Sequence, residues 1–289
     1  MSSLQITDEI LAIIDRAIEE DLAGGLDLTS VATIAEGSKS TARFVVKADG
    51  VIAGLPVAEA VMRHLGVEDF VSHSHDGDRV KAGTVIATVS GDTRKILLAE
   101  RTALNLICRM SGIATFTRRW VDAIKGTKAK IRDTRKTTPG LRVLEKYAVR
   151  VGGAENHRST LSESALIKDN HIAAAGGITD AIDAVRSKFP AVELEVEVDS
   201  LEQLREALDS GATIILLDNM SVEMTKQAVA ITQGLAKLES SGGLSLERAR
   251  AYAETGVDYL AVGALTHSAP ILDISLDFSS NPTAVKETH

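Results

Sequence analysis

Short apolar runs and longer amphipathic stretches follow one another over the second half of the chain. The short runs, one of which alternates strictly between apolar and polar residues, are typical of strands, and the stretches between them, apolar at every third or fourth position, predict helices. The pattern predicts strands at 129–133, 165–168, 192–198, 213–218, 235–239 and 258–263, and helices at 141–151, 179–188, 200–209, 221–231 and 245–254. Because strands that alternate with helices form parallel βαβ units, these six strands predict an open, incomplete α/β barrel.

The first part of the chain has a different pattern. Residues 7–22 carry apolar side chains at helical spacing, and the pattern predicts another helix within 94–125. Between them, residues 51–91 consist of short apolar stretches separated by glycines, which is typical of short strands joined by turns. This mixture predicts a compact, strand-rich α+β module ahead of the barrel.

Positive charge is concentrated in one segment of an acidic chain. Residues 101–170 hold 15 Lys or Arg against 6 Asp or Glu, a net charge of +9, whereas the whole chain of 289 residues carries −8. Oriented cations in a partly dry cleft bind anions far better than a diffuse surface charge does. The segment therefore predicts a local anion site.

The overall composition argues against several classes of function. Net negative charge and only 3% aromatic residues disfavour a general binder of nucleic acid or of membrane surfaces. The single cysteine, Cys108, excludes an internal disulfide and fits a reducing cytoplasm. We expect no signal peptide, because the N-terminus has no basic region followed by an apolar core. We expect no membrane-spanning segment, because no apolar run approaches the roughly 20 residues that a bilayer requires.

The reactive groups of α/β barrels lie at the carboxyl ends of the strands. Here nearly every predicted strand ends in charged or small polar residues: Arg132 to Lys136, Lys168 to His171, Glu197 and Asp199, Asp218 and Asn219, Glu239 to Ser241, and Gly263. Because polar residues follow nearly every predicted strand, we predict that the active site lies at the carboxyl end of the barrel.

The strand at 192–198 alternates strictly, so Glu193, Glu195 and Glu197 are predicted to share one face. Carboxylates inside a barrel need cations or a metal as partners. A hard cation such as Mg²⁺ would suit Glu197 and Asp218, because Mg²⁺ binds few carboxylates and keeps water or substrate oxygens.

Two glycine-containing loops predict a phosphate site. Residues 240–243, Ser-Ser-Gly-Gly, precede a helix that Ser245 can cap, and Gly263 and Ala264 follow the last strand. Glycines let backbone N–H groups approach an anion, and a helix N-terminus adds its dipole.

Each signal also has a purely structural interpretation. The cationic run can be a solvated face, the glycines a turn, His157 a structural histidine, and the glutamates an exposed strand face. We favour a site because independent surface features are not expected to fall on the same ends of consecutive strands.

The residues at these strand ends make the chain resemble the quinolinate phosphoribosyltransferases, also called carboxylating nicotinate-nucleotide pyrophosphorylases. The resemblance is carried in order by Glu100–Asn105, Ser111–Thr115, Asp133–Gly140, Asn156–Arg158, Leu166–His171, Glu195–Val198, Leu216–Asn219, Ser240–Gly243 and Val262–His267. Such an ordered series is far more specific than any single motif.

The resemblance implies an N-terminal α/β sandwich domain, residues 1–112, with the tail 273–289 packed on it. An open α/β barrel of the type II phosphoribosyltransferases follows at 113–272. It implies a cytoplasmic homodimer in which Arg101 reaches the partner's site. The implied reaction converts quinolinate and phosphoribosyl pyrophosphate, with Mg²⁺, into nicotinate mononucleotide, pyrophosphate and carbon dioxide.

The resemblance also implies roles for individual residues. Catalytic roles fall to Lys136, Lys168, Glu197 and Asp218, the last two also holding Mg²⁺ directly or through water. Substrate binding falls to Arg101, Thr134, Arg135, Lys136, His157, Arg158, Lys168, Glu197 and Asp218. Phosphate binding falls to Ser241, Gly242, Gly243, Val262, Gly263 and Ala264.

One departure from the family pattern lies beside the anion site. The family usually shows three glycines before Asn-His-Arg, whereas this chain has Gly152-Gly153-Ala154-Glu155. Glu155 adds a negative charge where the resemblance implies an anion site.

Two other functions compete with this interpretation. A related phosphoribosyltransferase of the molybdenum-associated type would act on a different acid. Alternatively, residues 76–91 resemble half of a biotinyl or lipoyl carrier domain. A carrier needs a modifiable lysine exposed in a hairpin between hydrophobic neighbours, and Lys81 lacks that setting.

Overall fold

The computed structural model describes residues 4–279, which form two compact units. The first comprises residues 4–115, 143–151 and 270–279, and the second comprises 116–142 and 152–269. The helices are α1 (Asp8–Leu22), α2 (Leu28–Thr33), α3 (Leu55–His64), α4 (Thr93–Ala123), α5 (Arg142–Val151), α6 (Asp169–Ala175), α7 (Ile178–Lys188), α8 (Leu201–Asp209), α9 (Val222–Thr232), α10 (Leu246–Ala253) and α11 (Ala264–His267). The strands are β1 (Lys39–Val46), β2 (Gly50–Val51), β3 (Asp69–Ser72), β4 (Arg79–Val80), β5 (Val85–Asp92), β6 (Lys130–Arg132), β7 (Ala165–Ile167), β8 (Leu194–Val198), β9 (Ile214–Asp218), β10 (Lys237–Ser241), β11 (Tyr259–Ala261) and β12 (Ile274–Phe278).

The first unit is built on an antiparallel sheet with strand order β12-β1-β5-β3. Alternate residues of β1 face the core, and Phe44 packs against Phe70 with ring centroids 5.8 Å apart. The strand β12 at the sheet edge belongs to the predicted tail segment 273–289, of which residues 280–289 lie outside the described residues.

The helix α5 belongs to the first unit, although the predicted boundary assigned it to the barrel together with residues 113–115 and 270–272. Two contacts explain its position. The buried Glu145 forms an ion pair with Arg109 at 2.8 Å, and the hydroxyl of Tyr147 donates to Asp76 at 2.8 Å. The helical pattern of α5 was predictable, but these partners are distant in sequence.

The strands β4 and β5 bear on the carrier-domain hypothesis. The strand β4 pairs with β2, whereas β5 pairs with β1 and β3. The intervening Lys81 forms an ion pair with Asp49 at 2.7 Å. The segment 76–91 is therefore part of the first unit's own architecture rather than a hairpin that presents a lysine.

The second unit, as described by the structure, contains a six-stranded parallel sheet with order β6-β11-β10-β9-β8-β7. The predicted strands and the alternating helices α7 to α10 are confirmed, with bounds that differ by a few residues. The strands β6 and β7 are successive in the chain but lie at opposite edges of the sheet. The barrel is therefore open between them.

Strand alternation divides the side chains of this sheet between two faces. Apolar residues such as Val196, Ile215 and Leu238 are buried on one side, while Glu195 and Glu239 point to the other. The carboxylates of Glu195 and Glu239 thus share one face of the sheet.

The helices α6 and α11 follow the strand ends and were not predicted as helices. Residues 169–175 bury no side chain, so they lack the apolar stripe from which a helix is predicted. In addition, none of the helices within residues 4–279 is both long and apolar enough to cross a membrane.

Candidate active site

Most of the predicted site residues of the second unit lie at or just beyond the carboxyl ends of its strands. Arg132 ends β6, Asp218 ends β9 and Ser241 ends β10. Lys168 directly follows β7, and Gly263 follows β11 after one intervening residue. Because the strands are parallel, these ends share one edge of the sheet. Arg101 is separate from this group: it lies on α4 in the first unit, with an exposed side chain.

Direct contacts tie neighbouring strand ends together. The backbone N–H of Val262 donates to the carbonyl of Arg132 at 2.9 Å, and the Thr266 hydroxyl donates to the carbonyl of Lys136 at 2.8 Å. The N–H of Asn219 donates to the carbonyl of Ser241 at 2.9 Å. These bonds fix the loops that carry the predicted cations and phosphate ligands.

Lys168 and Glu197 form an ion pair across β7 and β8. Its carboxylate is shielded, with 15% of the Glu197 side chain exposed, whereas 45% of the Lys168 side chain is exposed. Glu197 and Asp218 also line one cavity of about 300 Å³, together with Asp169, Ile172, Ala173, Val198, Asp199 and Gln203. Two carboxylates on adjacent strands beside a cavity of this size fit a Mg²⁺ ion that keeps several non-protein oxygens as ligands.

The segment around Arg158 is attached to the edge of β6. The N–H of Glu155 donates to the carbonyl of Ile131 at 2.9 Å, and the N–H of Asp133 donates to the carbonyl of Glu155 at 3.2 Å. The buried Asp133 carboxylate then accepts from the Asn156 amide at 2.6 Å and from the His157 N–H at 2.7 Å. Asp133 thereby holds the two cationic segments of the site together.

Arg135 lies close enough to Arg158 to affect the pKa of the Arg158 guanidinium. Burial, and secondly the positive charge of Arg135, lower the pKa of the Arg158 guanidinium. Two like charges held near each other raise the local positive potential, which favours binding of an anion.

Glu155, the residue at which this chain departs from the family pattern, has a cationic partner. Its carboxylate pairs with the Lys130 ammonium at 2.5 Å, and both side chains are about half exposed. Ala154 is buried. The added negative charge is therefore compensated at the β6 edge.

Inside the barrel lies a buried group of ionisable side chains. His157 Nε2 is 2.7 Å from Glu195 Oε2 and 3.8 Å from Glu239 Oε1. Arg132 donates to Glu239 Oε2 at 2.9 Å and stacks on the Tyr259 ring, 4.1 Å from its centroid. We call these residues the barrel network: Arg132, His157, Glu195, Glu239 and Tyr259.

Two strand assignments need correction here. Glu193 was expected to share the face of Glu195 and Glu197, but β8 begins at Leu194 and Glu193 is exposed. Glu239 was expected where its strand exits, but β10 continues to Ser241, so Glu239 is fully buried. The predicted start of β8 and the predicted end of β10 each differ by two residues from the observed ones, which is the usual uncertainty for an element predicted from an apolar run.

Burial, and secondly the charge of Glu195, raise the pKa of Glu239 from 4.5 to about 7. The folded state therefore binds the proton more tightly than the unfolded chain does. This contribution to stability is complete below about pH 4.5 and is lost as pH rises through about 7.

We predict that wild-type stability falls relative to Glu239→Gln by about 3 kcal/mol between pH 4.5 and 7.5, because the amide does not titrate. Urea unfolding of both proteins across this range measures the difference. Parallel stability profiles for the two proteins would contradict the prediction.

Each of the two predicted phosphate loops contains a glycine that another residue approaches closely. Gly242 has φ +81°, and a β-carbon there would overlap the Asn219 side chain. A β-carbon at Gly263 would lie 3.1 Å from Lys136 Cδ. Ser245 stands at the N-cap position of α10, although its hydroxyl makes no capping bond, so the N–H groups of the first turn are not capped by that side chain.

Comparison with known families agrees with this arrangement. The model described as "Quinolinate phosphoribosyl transferase, N-terminal domain" matches residues 27–111, and the corresponding C-terminal domain model matches residues 113–277. The chain belongs to this family.

Individual relatives of the quinolinate phosphoribosyl transferase family cover nearly the whole chain. The nicotinate-nucleotide pyrophosphorylase [carboxylating] of Mycobacterium leprae is 56% identical, covering 91% of this chain and 95% of that protein. A probable enzyme of the same name from Bacillus subtilis is 44% identical, covering 93% of each. The crystal structure of NadC from Streptococcus pyogenes is 38% identical, covers 96% of this chain and 99% of its own, and superimposes with a TM-score of 0.92.

The sequence analysis gave Asp133, Glu195 and Glu239 no individual role. Asp133 and Glu195 each bind His157, which it did assign, and Glu239 binds Arg132. For Glu195 the signal was available in the strict alternation of its strand. Glu239 was visible only as a charge near a strand end. Asp133 lies within a motif of this family, but its role depends on contacts with residues 156 and 157 that only the fold reveals.

Proposed function

We propose that the strand-end cluster is the site at which this chain transfers a phosphoribosyl group from phosphoribosyl pyrophosphate to quinolinate. The products are nicotinate mononucleotide, pyrophosphate and carbon dioxide, as in de novo NAD synthesis. One observation carries the proposal: cations from the β6 and β7 ends and carboxylates from β8 and β9 share the same edge of one sheet. The carboxylates of quinolinate need cations, and the positive charge that develops on the ribose during transfer needs carboxylates.

Quinolinate has two adjacent carboxylates and needs a pocket of fixed cations. Arg135 and Arg158 supply planar guanidinium groups that can form paired hydrogen bonds with a carboxylate. The remaining proposed ligands are Thr134, Lys136, His157 and Lys168. We also propose that Arg101 completes the pocket from the partner subunit of a homodimer, because its exposed side chain is available for such a contact.

The transfer step needs stabilisation of positive charge rather than a covalent nucleophile. The quinolinate ring nitrogen bonds to carbon 1 of the ribose as the bond to pyrophosphate breaks, through an oxocarbenium-like state. The carboxylates of Glu197 and Asp218 stabilise that developing cation. Mg²⁺ held by Glu197 and Asp218 would neutralise pyrophosphate oxygens when bound.

Lys168 and Lys136 link the two halves of the site. The Lys168 ammonium lies against the Glu197 carboxylate, so it can orient that group and face the acceptor carboxylates. Lys136 lies beside Gly263, within reach of the phosphate loops. We propose that Lys136 stabilises charge on the departing pyrophosphate.

The phosphate of phosphoribosyl pyrophosphate at ribose carbon 5 would occupy the two glycine loops. We assign its ligands to Ser241, Gly242, Gly243, Val262, Gly263 and Ala264, mainly through backbone N–H groups. The positive φ of Gly242 and Gly243 is consistent with a loop that turns its N–H groups inward.

Decarboxylation then follows from the chemistry of the transferred ring. Once the ring nitrogen is bonded to ribose, it is positively charged and accepts electron density. The carbon 2 carboxylate leaves as carbon dioxide, its bonding electron pair stays at carbon 2, and a proton takes its place. The protein therefore has mainly to position the two substrates. Cytoplasmic location remains a prediction.

We expect a strict requirement for adjacent carboxylates, because the pocket presents several cations to one acceptor. Pyridine 2,3-dicarboxylate, its 2,4- and 2,5-isomers and nicotinate are each incubated with phosphoribosyl pyrophosphate and Mg²⁺, and nucleotide formation is measured by chromatography. Only the 2,3-isomer, quinolinate, is expected to react. Turnover of another acid, with none of quinolinate, would assign the chain to a different acceptor.

A further inference from the structure

We propose that Glu239 is a positioning residue that holds His157, and through it Arg158, in the geometry that binds the acceptor. The proposal deepens the proposed function and rests on it. Glu239 is fully buried on β10, two residues before the end of the strand, and its carboxylate accepts a hydrogen bond from Arg132. Its role is therefore transmitted through its neighbours.

The first step concerns the hydrogen bonds of the His157 ring. The backbone N–H of Arg158 donates to Nδ1 at 2.9 Å, so Nδ1 carries the lone pair. The other nitrogen, Nε2, is then N–H and donates to Glu195 Oε2 at 2.7 Å, with Glu239 Oε1 next to it at 3.8 Å. The imidazole is thus held from both sides, and its Nδ1 in turn fixes the Arg158 backbone.

The same hydrogen bonds argue against a metal ion bound between His157, Glu195 and Glu239. His157, Glu195 and Glu239 each offer one ligand atom, and these atoms lie within 4.8 Å of one another, as a metal site would require. However, a histidine that binds a metal donates its other N–H, whereas Nδ1 of His157 accepts. The Glu195 carboxylate therefore accepts from an N–H group, and the Glu239 carboxylate lies beside that N–H without a hydrogen bond to it.

The second step concerns Arg132, which links Glu239 to the edge strand. Only 16% of the Arg132 side chain is exposed, and its guanidinium pairs with the fully buried Glu239 while it stacks on Tyr259. Glu239 therefore binds the β6 guanidinium through Oε2, while its Oε1 lies 3.8 Å from His157 Nε2 and makes no hydrogen bond. Asp133, which follows β6, holds the backbone of that same segment.

The third step connects this support with acceptor binding. The Arg158 residue is held at two points: its guanidinium donates to the carbonyl of Ser164 at 2.7 Å, and its backbone N–H donates to His157 Nδ1 at 2.9 Å. A shift of His157 would move that backbone. Loss of Glu239 is thus expected to weaken binding of the acceptor dianion and to affect phosphoribosyl pyrophosphate much less.

The test compares steady-state constants of Glu239→Ala and Glu239→Gln. We expect Glu239→Ala to raise KM for quinolinate about tenfold or more, and KM for phosphoribosyl pyrophosphate less than about threefold. Glu239→Gln keeps an acceptor for Arg132 and is expected to restore quinolinate KM to within about threefold of wild type. Circular dichroism and thermal unfolding establish that each variant is folded.

Two further variants make the test decisive. Glu145→Gln alters a comparable buried ion pair, with Arg109 in the first unit, and is expected to change stability without a selective change in quinolinate KM. If Glu239→Ala does not fold, the double variant Arg132→Met/Glu239→Met removes both charges together, a change that proteins often tolerate. It is expected to show the same selective rise.

Unchanged quinolinate KM in folded Glu239→Ala or in the double variant would overturn the proposal. An equal rise for both substrates would overturn it as well, since that result indicates general loosening. Failure of the proposed function is distinguishable, because wild-type protein would then form no nucleotide from quinolinate in the first place.

Discussion

Lys168→Ala is expected to reduce kcat/KM for quinolinate by about 10³-fold or more, because it removes a cation from a pocket that binds a dianion. The structure places the Lys168 ammonium against the Glu197 carboxylate at the end of the barrel. Without it, Glu197 keeps its negative charge and repels the acceptor carboxylates. Quinolinate affinity is measured by isothermal titration calorimetry, and kcat and KM by initial rates. Arg135→Ala is expected to change binding in the same direction.

The matched control for this variant is Lys128→Ala. Lys128 also forms an ion pair, with Asp258 at 2.9 Å, but it precedes β6 and so lies at the amino end of the strand. Its removal is expected to change kcat/KM for quinolinate by less than about twofold, as for a surface ion pair. Wild-type quinolinate affinity in folded Lys168→Ala would refute the placement of the acceptor.

Glu197→Gln is expected to lower kcat by about 10²- to 10³-fold with a smaller effect on quinolinate KM. The amide can still accept a hydrogen bond from Lys168, so the change removes mainly the negative charge that stabilises the cationic transition state. The concentration of Mg²⁺ that gives half-maximal activity is expected to rise. Initial rates at saturating substrates and a Mg²⁺ titration measure both effects.

Glu193→Gln provides the control for the loss of one carboxylate from this segment. Glu193 is exposed and precedes β8, so its charge does not reach the carboxyl end of the strand. We expect wild-type kcat for this variant. A kcat reduction in Glu193→Gln as large as in Glu197→Gln would mean that net charge, rather than position, controls the rate.

The strand pattern was sufficient to predict the second unit of the fold. A parallel strand is short, apolar and separated from the next by an amphipathic helix. Short apolar runs and amphipathic stretches alternate in this way from β6 to β11. Strand ends then determine which side chains share an edge. For that reason Arg135, Lys168 and Asp218 could be placed together before any distance was known.

The parts that could not be predicted depend on contacts between distant residues. The helix α5 has an ordinary amphipathic pattern, but its unit is decided by Arg109 and Asp76. Glu239 was recognisable as a charge, whereas its burial became apparent only when β10 was seen to continue to Ser241. A hydrophobic pattern reports which face of an element is buried, but it does not report what lies opposite a buried charge.

The reaction itself is tested most directly by release of carbon dioxide from quinolinate labelled at its 2-carboxylate. The protein is incubated with and without phosphoribosyl pyrophosphate and Mg²⁺, and trapped label is counted. We expect release only when both are present, with one nicotinate mononucleotide formed for each carbon dioxide. Absence of release from a folded protein, or release that does not require phosphoribosyl pyrophosphate, would contradict coupled transfer and decarboxylation at this site.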